Sequence, residues 1–343
     1  MRIDKIDFLR FLGLSLIILA HVQPPLWLSQ LRNFDVPLMF MVMGMSFYIT
    51  KQRHQSKLDY TISRFRRLVI PTWIFLALFF TVNESIALIL NLKGFTYNPI
   101  DIARAFALSL GFGYVWVIRL FFIISVIAIL LPPQIYNIKF YLLLPLFVIV
   151  MLINSHLKQT YMEIDTLNNI ALMGGYISNA IPYMFTFIIG YKLIESQKRQ
   201  ALYIAVMSAL LFAIIAAYSI VTSGLFNPTQ SDKYPPGIYY MSYALFMSTA
   251  IYLASEKIVN ILRSTFVWNF IGFVSQNSIW TYLWHIPFIF MCLKIKTNFL
   301  TSYVITFVGA VTIVYIQVKI VKLITGKIHN KSTIKIISSI FTG

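Results

Sequence analysis

Charge is scarce in this chain. Asp, Glu, Lys and Arg make up 11% of its 343 residues, against about 25% in soluble domains. Too few charges remain to coat a water-facing surface, which argues against a soluble globular fold. Acidic residues are the rarer sign, 11 against 28 Lys and Arg, for a formal net charge of +17. Cysteine is nearly absent: Cys292 stands alone, so no internal disulfide framework exists. Several motifs are missing too. Without GxxxxGK an ATP-driven pump is not expected, and there is neither HExxH nor a GxSxG elbow. The five histidines (His21, His54, His156, His285 and His329) are too scattered for a metal site. No internal repeat and no low-complexity segment is present.

Apolar residues fill the space that charge leaves, at 59%. A bilayer core about 30 Å thick takes about 20 mostly apolar helical residues to cross. Ten such stretches predict an all-α integral membrane protein with about ten transmembrane helices in one bundle. They run over 8–27, 34–50, 68–92, 114–131, 140–154, 180–194, 201–223, 238–254, 268–291 and 299–318. Segment 102–112 is too short to cross and reads as interfacial or re-entrant. Stretch 166–180 leaves the count open by one. The N-terminus imitates a signal peptide, but Asp4, Asp7 and Arg10 interrupt it and no small-x-small site follows, so a retained first span is expected.

Orientation follows from the positive charges. With the N-terminus inside, nineteen of the 28 Lys and Arg residues fall on the inner side. Six fall outside: Arg32, Lys93, Lys158, Lys233, Lys294 and Lys296. Arg10, Arg104 and Arg119 lie in or beside spans. Both termini are therefore expected to be cytoplasmic, with a basic loop at 51–67 and a basic tail at about 319–343. The charge then borders an anionic lipid leaflet, and nucleic acid is not an expected partner. Residues 1–343 read as a single membrane domain.

Ionisable residues within spans are costly and mark function by default. Arg10 and His21, eleven residues apart, fall within about 20° of one helix face and about 16 Å apart in rise. They read either as a functional pair or as a snorkelling Arg with an interfacial His. Arg64, Arg66 and Arg67 precede the third span. They fit bidentate phosphate binding or a topology-setting cluster. Trp116 and Arg119 open the fourth span, as acting residues or as an aromatic belt with an inward structural Arg. His285, ahead of Pro287, reads as a catalyst or as a hydrogen-bonded structural histidine. In the outer loop, Lys233-Tyr234-Pro235-Pro236 with Tyr239 and Tyr240 offers flat faces with hydroxyl handles. That suits a sugar, or simply a rigid turn.

Taken together, these motifs resemble the membrane acyltransferase-3 family. Its Arg and His on the first span, with an Asp before the Arg, match Asp7, Arg10 and His21. Its RxxR motif matches Arg64 and Arg67, and its fourth-span Trp matches Trp116. Its late Tyr-Leu-x-His-x-Pro motif matches Tyr282, Leu283, His285 and Pro287. Lys233 to Pro236 look like the KYPP stretch of members acting on surface polysaccharides. The likeness runs from residue 4 to about 320. The second span departs from the family's Phe-Phe then Ser-Gly pattern, reading Met39-Phe40-Met41-Val42-Met43-Gly44-Met45, which leaves its polar role open. Many relatives carry an extracytoplasmic hydrolase-like domain. None is read here, so final transfer is expected of the membrane domain itself or of a separate protein.

The resemblance implies an O-acetyltransferase of the bacterial cytoplasmic membrane. Acetyl-CoA would be the donor substrate, without a metal. The acceptor would be a sugar hydroxyl of a cell-surface polysaccharide or its lipid-linked precursor. Arg64, Arg67 and Arg10 would receive the coenzyme A phosphates, and His21 would serve as general base. Arg119, His285 or Trp116 would supply oxyanion donors, with Arg10, Arg119 and His285 completing the catalytic set. Trp116, Lys233, Tyr234 and Tyr239 would bind the acceptor. The competing readings are a transporter or flippase for a lipid-linked sugar, and a membrane scaffold or sensor.

Overall fold

The computed structural model describes residues 3–51, 56–89, 97–109, 112–163 and 168–342, with side chains described outside 157–177. Arg2, Arg53 and Lys93, counted above for orientation, lie outside the described residues, as does the side chain of Lys158. Among the described residues the chain is helical and no strand occurs. In lipid, a helix meets its own backbone hydrogen bonds within one segment.

In chain order the helices are α1 (Asp4–Ala20), α2 (Leu26–Leu31), α3 (Asp35–Thr50), α4 (Lys57–Ile89), α5 (Pro99–Phe106), α6 (Trp116–Leu130), α7 (Pro133–Tyr136), α8 (Phe140–Glu163), α9 (Asn168–Leu193), α10 (Lys198–Ser223), α11 (Ile238–Leu262), α12 (Phe266–Gln276), α13 (Ser278–Ile295), α14 (Phe299–Thr325) and α15 (Lys331–Phe341). A short 3₁₀ turn, Thr229–Asp232, precedes α11. By length and composition, α4, α10, α11, α13 and α14 could each cross a membrane. Helix α6 and the 140–156 part of α8 are shorter apolar helices.

Several expected boundaries move, each for a local reason. The first stretch, 8–27, stops being helical at Ala20. Gln23 adopts φ 54°, and Pro24 and Pro25 cannot continue the ladder. The basic segment 51–67 is not all loop, because α4 begins at Lys57 and carries Arg64, Arg66 and Arg67 on its first turns. Stretch 268–291 is interrupted at Asn277, which has φ −104° and ψ 27°, so α12 and α13 are separate. Segment 102–112 holds only the end of the eight-residue α5. The described part of 166–180 is the start of α9. The tail is not simply polar: α14 runs on to Thr325, and α15 folds back. Trp280 Nε1 donates to Ile340 O at 2.8 Å, and Gln317 Nε2 donates to Phe341 O at 2.7 Å.

The chain divides into two compact units. One comprises residues 1–53 and 130–272, the other 54–129 and 273–343. In the first unit α3 packs against α1, α9 and α11, and α10 lies along α11. Gly44 and Gly190 make the α3–α9 crossing possible. A Cβ on Gly44 would run into Phe187 O and come within 2.8 Å of Tyr191 N. A Cβ on Gly190 would strike Met41 O. Close backbone approach at small residues is how helices associate where water gives no drive. In the second unit α13 and α14 pair, and α4 and α15 pack against them.

Candidate functional site

In the first unit, α1 carries Asp7 and Arg10. Asp7 and Arg10 fall one turn apart, their charged atoms 3.5 Å from each other. Arg10 Nη2 also donates to Ser46 Oγ at 2.8 Å, and Ser46 Oγ donates in turn to Val42 O at 2.8 Å. Thus the second apolar stretch does hold a polar partner, on α3 one turn before its end. It is Ser46, two residues past Gly44, and the sequence reading passed over it.

His21 caps α1, its backbone N–H reaching Ile18 O at 3.1 Å. The side-chain charges that act on it are those of Asp35, Arg32 and Lys233. These three form one buried cluster. Asp35, 1% exposed, accepts from Arg32 Nη1 at 2.6 Å, from Lys233 Nζ at 3.1 Å and from Val36 N–H at 2.8 Å. Lys233, 2% exposed, also donates to Asn33 Oδ1 at 3.0 Å. Its ammonium lies over the rings of Tyr234 and Tyr240 at 5.7 and 5.6 Å. Burial pulls the Lys233 ammonium below the usual lysine range, and the Asp35 charge works against that shift.

Neutral groups extend the cluster to the 3₁₀ turn before α11. Asn33 Nδ2 donates to Thr229 Oγ1 at 2.9 Å, and Thr229 N–H donates to Gln30 Oε1 at 2.8 Å. Lys233 is therefore bound inside the protein, at the root of the loop that was read as an acceptor surface. Tyr234 is 56% exposed. Tyr239 is buried, stacked on Phe212, and its hydroxyl donates to Asn227 O at 2.9 Å. Asp232 fixes the loop's end by accepting from Tyr239 N–H at 3.1 Å and Tyr240 N–H at 3.2 Å. A Cβ on Gly237 would meet the Asp232 carboxylate and push it from those N–H groups.

In the second unit, Arg64 and Arg67 lie three residues apart on α4, so both fall on one face. Arg64 lies 4.9 Å from the centre of the Tyr60 ring. Trp116 is the first residue of α6, and Arg119 follows within one turn, both half-buried. His285 is fully buried on α13. Its Nδ1 donates to Tyr282 O. A carbonyl only accepts, so the neutral ring keeps its lone pair on Nε2. Tyr114 stands edge-on to the His285 ring at 6.1 Å, and Tyr282 Oη donates to Tyr114 O at 2.5 Å. The YLxHxP motif is thus tied to the segment that leads into Trp116.

Sequence reasoning missed Arg32, Asp35, Asn33, Gln30, Ser46 and Thr229. Asp35 had a signal, as a carboxylate at the edge of an apolar run in a chain poor in acids. Thr229 and Gln30 had none.

A family model described as an acyltransferase domain matches residues 3–318. The chain belongs to the membrane acyltransferase-3 family. The match runs across both units and takes in the Arg10–His21 helix, the α4 arginines and the α13 histidine. No curated protein and no solved structure matches the chain. Membership makes this a multi-pass membrane protein of acyltransferase type.

Proposed function

We propose that this acyltransferase moves an acetyl group from acetyl-CoA at the cytoplasmic face to a sugar hydroxyl of a cell-surface polysaccharide or its lipid-linked precursor. The setting would be a bacterial cytoplasmic membrane crossed about ten times, with both chain ends inside, as the basic residues suggest.

The supporting observation is α1. It carries a guanidinium anchored by Asp7 and Ser46 near one end and an imidazole at the other. The rise between them is about 16 Å, roughly the length of an extended pantetheine arm. A thioester could therefore sit by His21 while its nucleotide stays near the opposite end of α1. His21 takes the proton of the acceptor hydroxyl, and the oxygen attacks the thioester carbonyl. The C–O bond forms, the C–S bond breaks, and coenzyme A leaves as thiolate and recovers the proton. General base action of this kind contributes about 10²–10⁴-fold. Arg64 and Arg67 would hold the coenzyme A phosphates, and Arg10 would share that task. Arg119 and Trp116 would donate to the developing oxyanion, and His285, whose Nδ1–H is spent on Tyr282 O, would join them as an imidazolium through a protonated Nε2. Lys233, Tyr234 and Tyr239 would shape the acceptor surface, Lys233 and Tyr239 from within the protein.

The test is His21→Ala in cells whose surface polysaccharide is analysed for O-acetyl groups. Loss of acetylation with undiminished protein in the membrane is the expected result. Acetylation at the wild-type level would overturn the role given to His21.

A further inference from the structure

The cluster beside His21 holds more buried cation than anion. Arg32 and Lys233 are 6% and 2% exposed, and Asp35 is the carboxylate that both contact. The Asp232 carboxylate, next in sequence to Lys233, is engaged by the Tyr239 and Tyr240 N–H groups. Donors are in surplus as well. Arg32 spends Nη1 on Asp35, while its buried Nε has no hydrogen-bond partner. The Gln30 carboxamide oxygen takes the N–H and hydroxyl of Thr229, leaving Nε2 buried without a partner. A buried guanidinium is retained when an anion or a full set of acceptors meets it. Here one carboxylate serves two cations and a donor is left over. Exposed Tyr234 has its ring 5.7 Å from the Lys233 ammonium.

We propose that Arg32, supported by Lys233 and Gln30, binds an anionic group of the acyl acceptor, the carboxylate of an acidic sugar or a sugar phosphate, and so sets acceptor choice beside His21. This rests on the reading that the acceptor meets the protein at the His21 end of α1. The guanidinium fork matches the planar geometry of a carboxylate or two phosphate oxygens. Neutral Asn33 and Thr229 brace the cluster without adding countercharge. The anion would complete the charge balance that Asp35 leaves half done.

Binding to the full chain in detergent micelles tests this without any acyl donor. The probes are methyl β-D-glucuronide, glucose 1-phosphate, inorganic phosphate and neutral methyl β-D-glucoside, followed by calorimetry. Wild type should bind the glucuronide or the phosphates at least tenfold more tightly than the glucoside. The stronger of the two anion classes identifies the acceptor's charged group. Arg32→Gln should remove the preference while leaving the Asp35–Lys233 pair to hold the loop. Arg32→Lys, which keeps the charge and loses the fork, should retain part of it. Equal binding of all four probes, or a preference that survives Arg32→Gln, overturns the site. Acetyl transfer to the same sugars, read as release of coenzyme A, separates the two readings. Anion preference without any transfer overturns the acyltransfer reading alone. Transfer with no acidic preference overturns this inference alone.

Discussion

Replacing Asp35 by Asn is the sharpest test of the charge cluster, because the shape stays and only the charge goes. Asparagine can still accept from Val36 N–H, which now lies 2.8 Å from the carboxylate. Arg32 at 2.6 Å and Lys233 at 3.1 Å would lose their shared countercharge. Both cations would then be buried and mutually repulsive. Removing one partner of a buried charge pair costs about 3–5 kcal/mol. For a chain of 343 residues that corresponds to a fall in melting temperature of roughly 4–7 °C. Lys233→Met and Arg32→Gln should cost less, since each leaves one cation matched with one carboxylate. The assay is heating of the full-length protein in detergent, followed by chromatographic recovery of the folded peak. The reasoning predicts an order as well as a size, with Asp35→Asn the most damaging of the three. It is refuted if Asp35→Asn melts with wild type, or if Lys233→Met is the worse variant. The double variant Asp35→Asn with Lys233→Met should recover part of the loss, because it removes one of the stranded cations.

Three further outcomes are expected. Gly44→Ala or Gly190→Ala should push α3 and α9 apart, costing about 1–3 kcal/mol and lowering the recovered folded fraction, since each new Cβ meets backbone that cannot swing aside. Ser46→Ala deletes the acceptor of Arg10 Nη2; it should cost about 1 kcal/mol of stability and slow acetyl transfer, while Ser46→Thr should restore the rate. Arg64→Gln with Arg67→Gln should raise the KM for acetyl-CoA with little change in acceptor affinity, and an unchanged KM would return both residues to setting topology.

Much of the architecture was legible because lipid imposes a simple rule on a chain. Long apolar runs must form helices, and charges must go to the ends or meet partners. That is why α10, α11 and α14 lie close to where the apolar runs put them. The limits of helices were less legible where a local feature competes with hydropathy. The Arg64–Arg67 cluster is helical although basic, because nothing in it breaks a helix. The run through Asn277 is interrupted although its flanks are apolar.

The site shows the same division. Arg10 and His21 stand out in the sequence because helical periodicity alone puts them on one face of α1. Most of the contacts around them could not be read, because hydrogen bonds such as Arg10 to Ser46, 36 positions apart, and Lys233 to Asp35, 198 apart, leave no periodic trace. Lys233 looked like a loop cation available to a sugar. Only tertiary structure shows it buried, held by Asp35 and Asn33. The sequence by itself determined a basic, helical, membrane-crossing chain with an Arg–His face on its first helix, since those depend on composition and local spacing. The fold decided which charges are matched, and that α3 and α9 touch at Gly44 and Gly190. Those properties depend on which surfaces meet, and only packing brings distant residues within reach of one another.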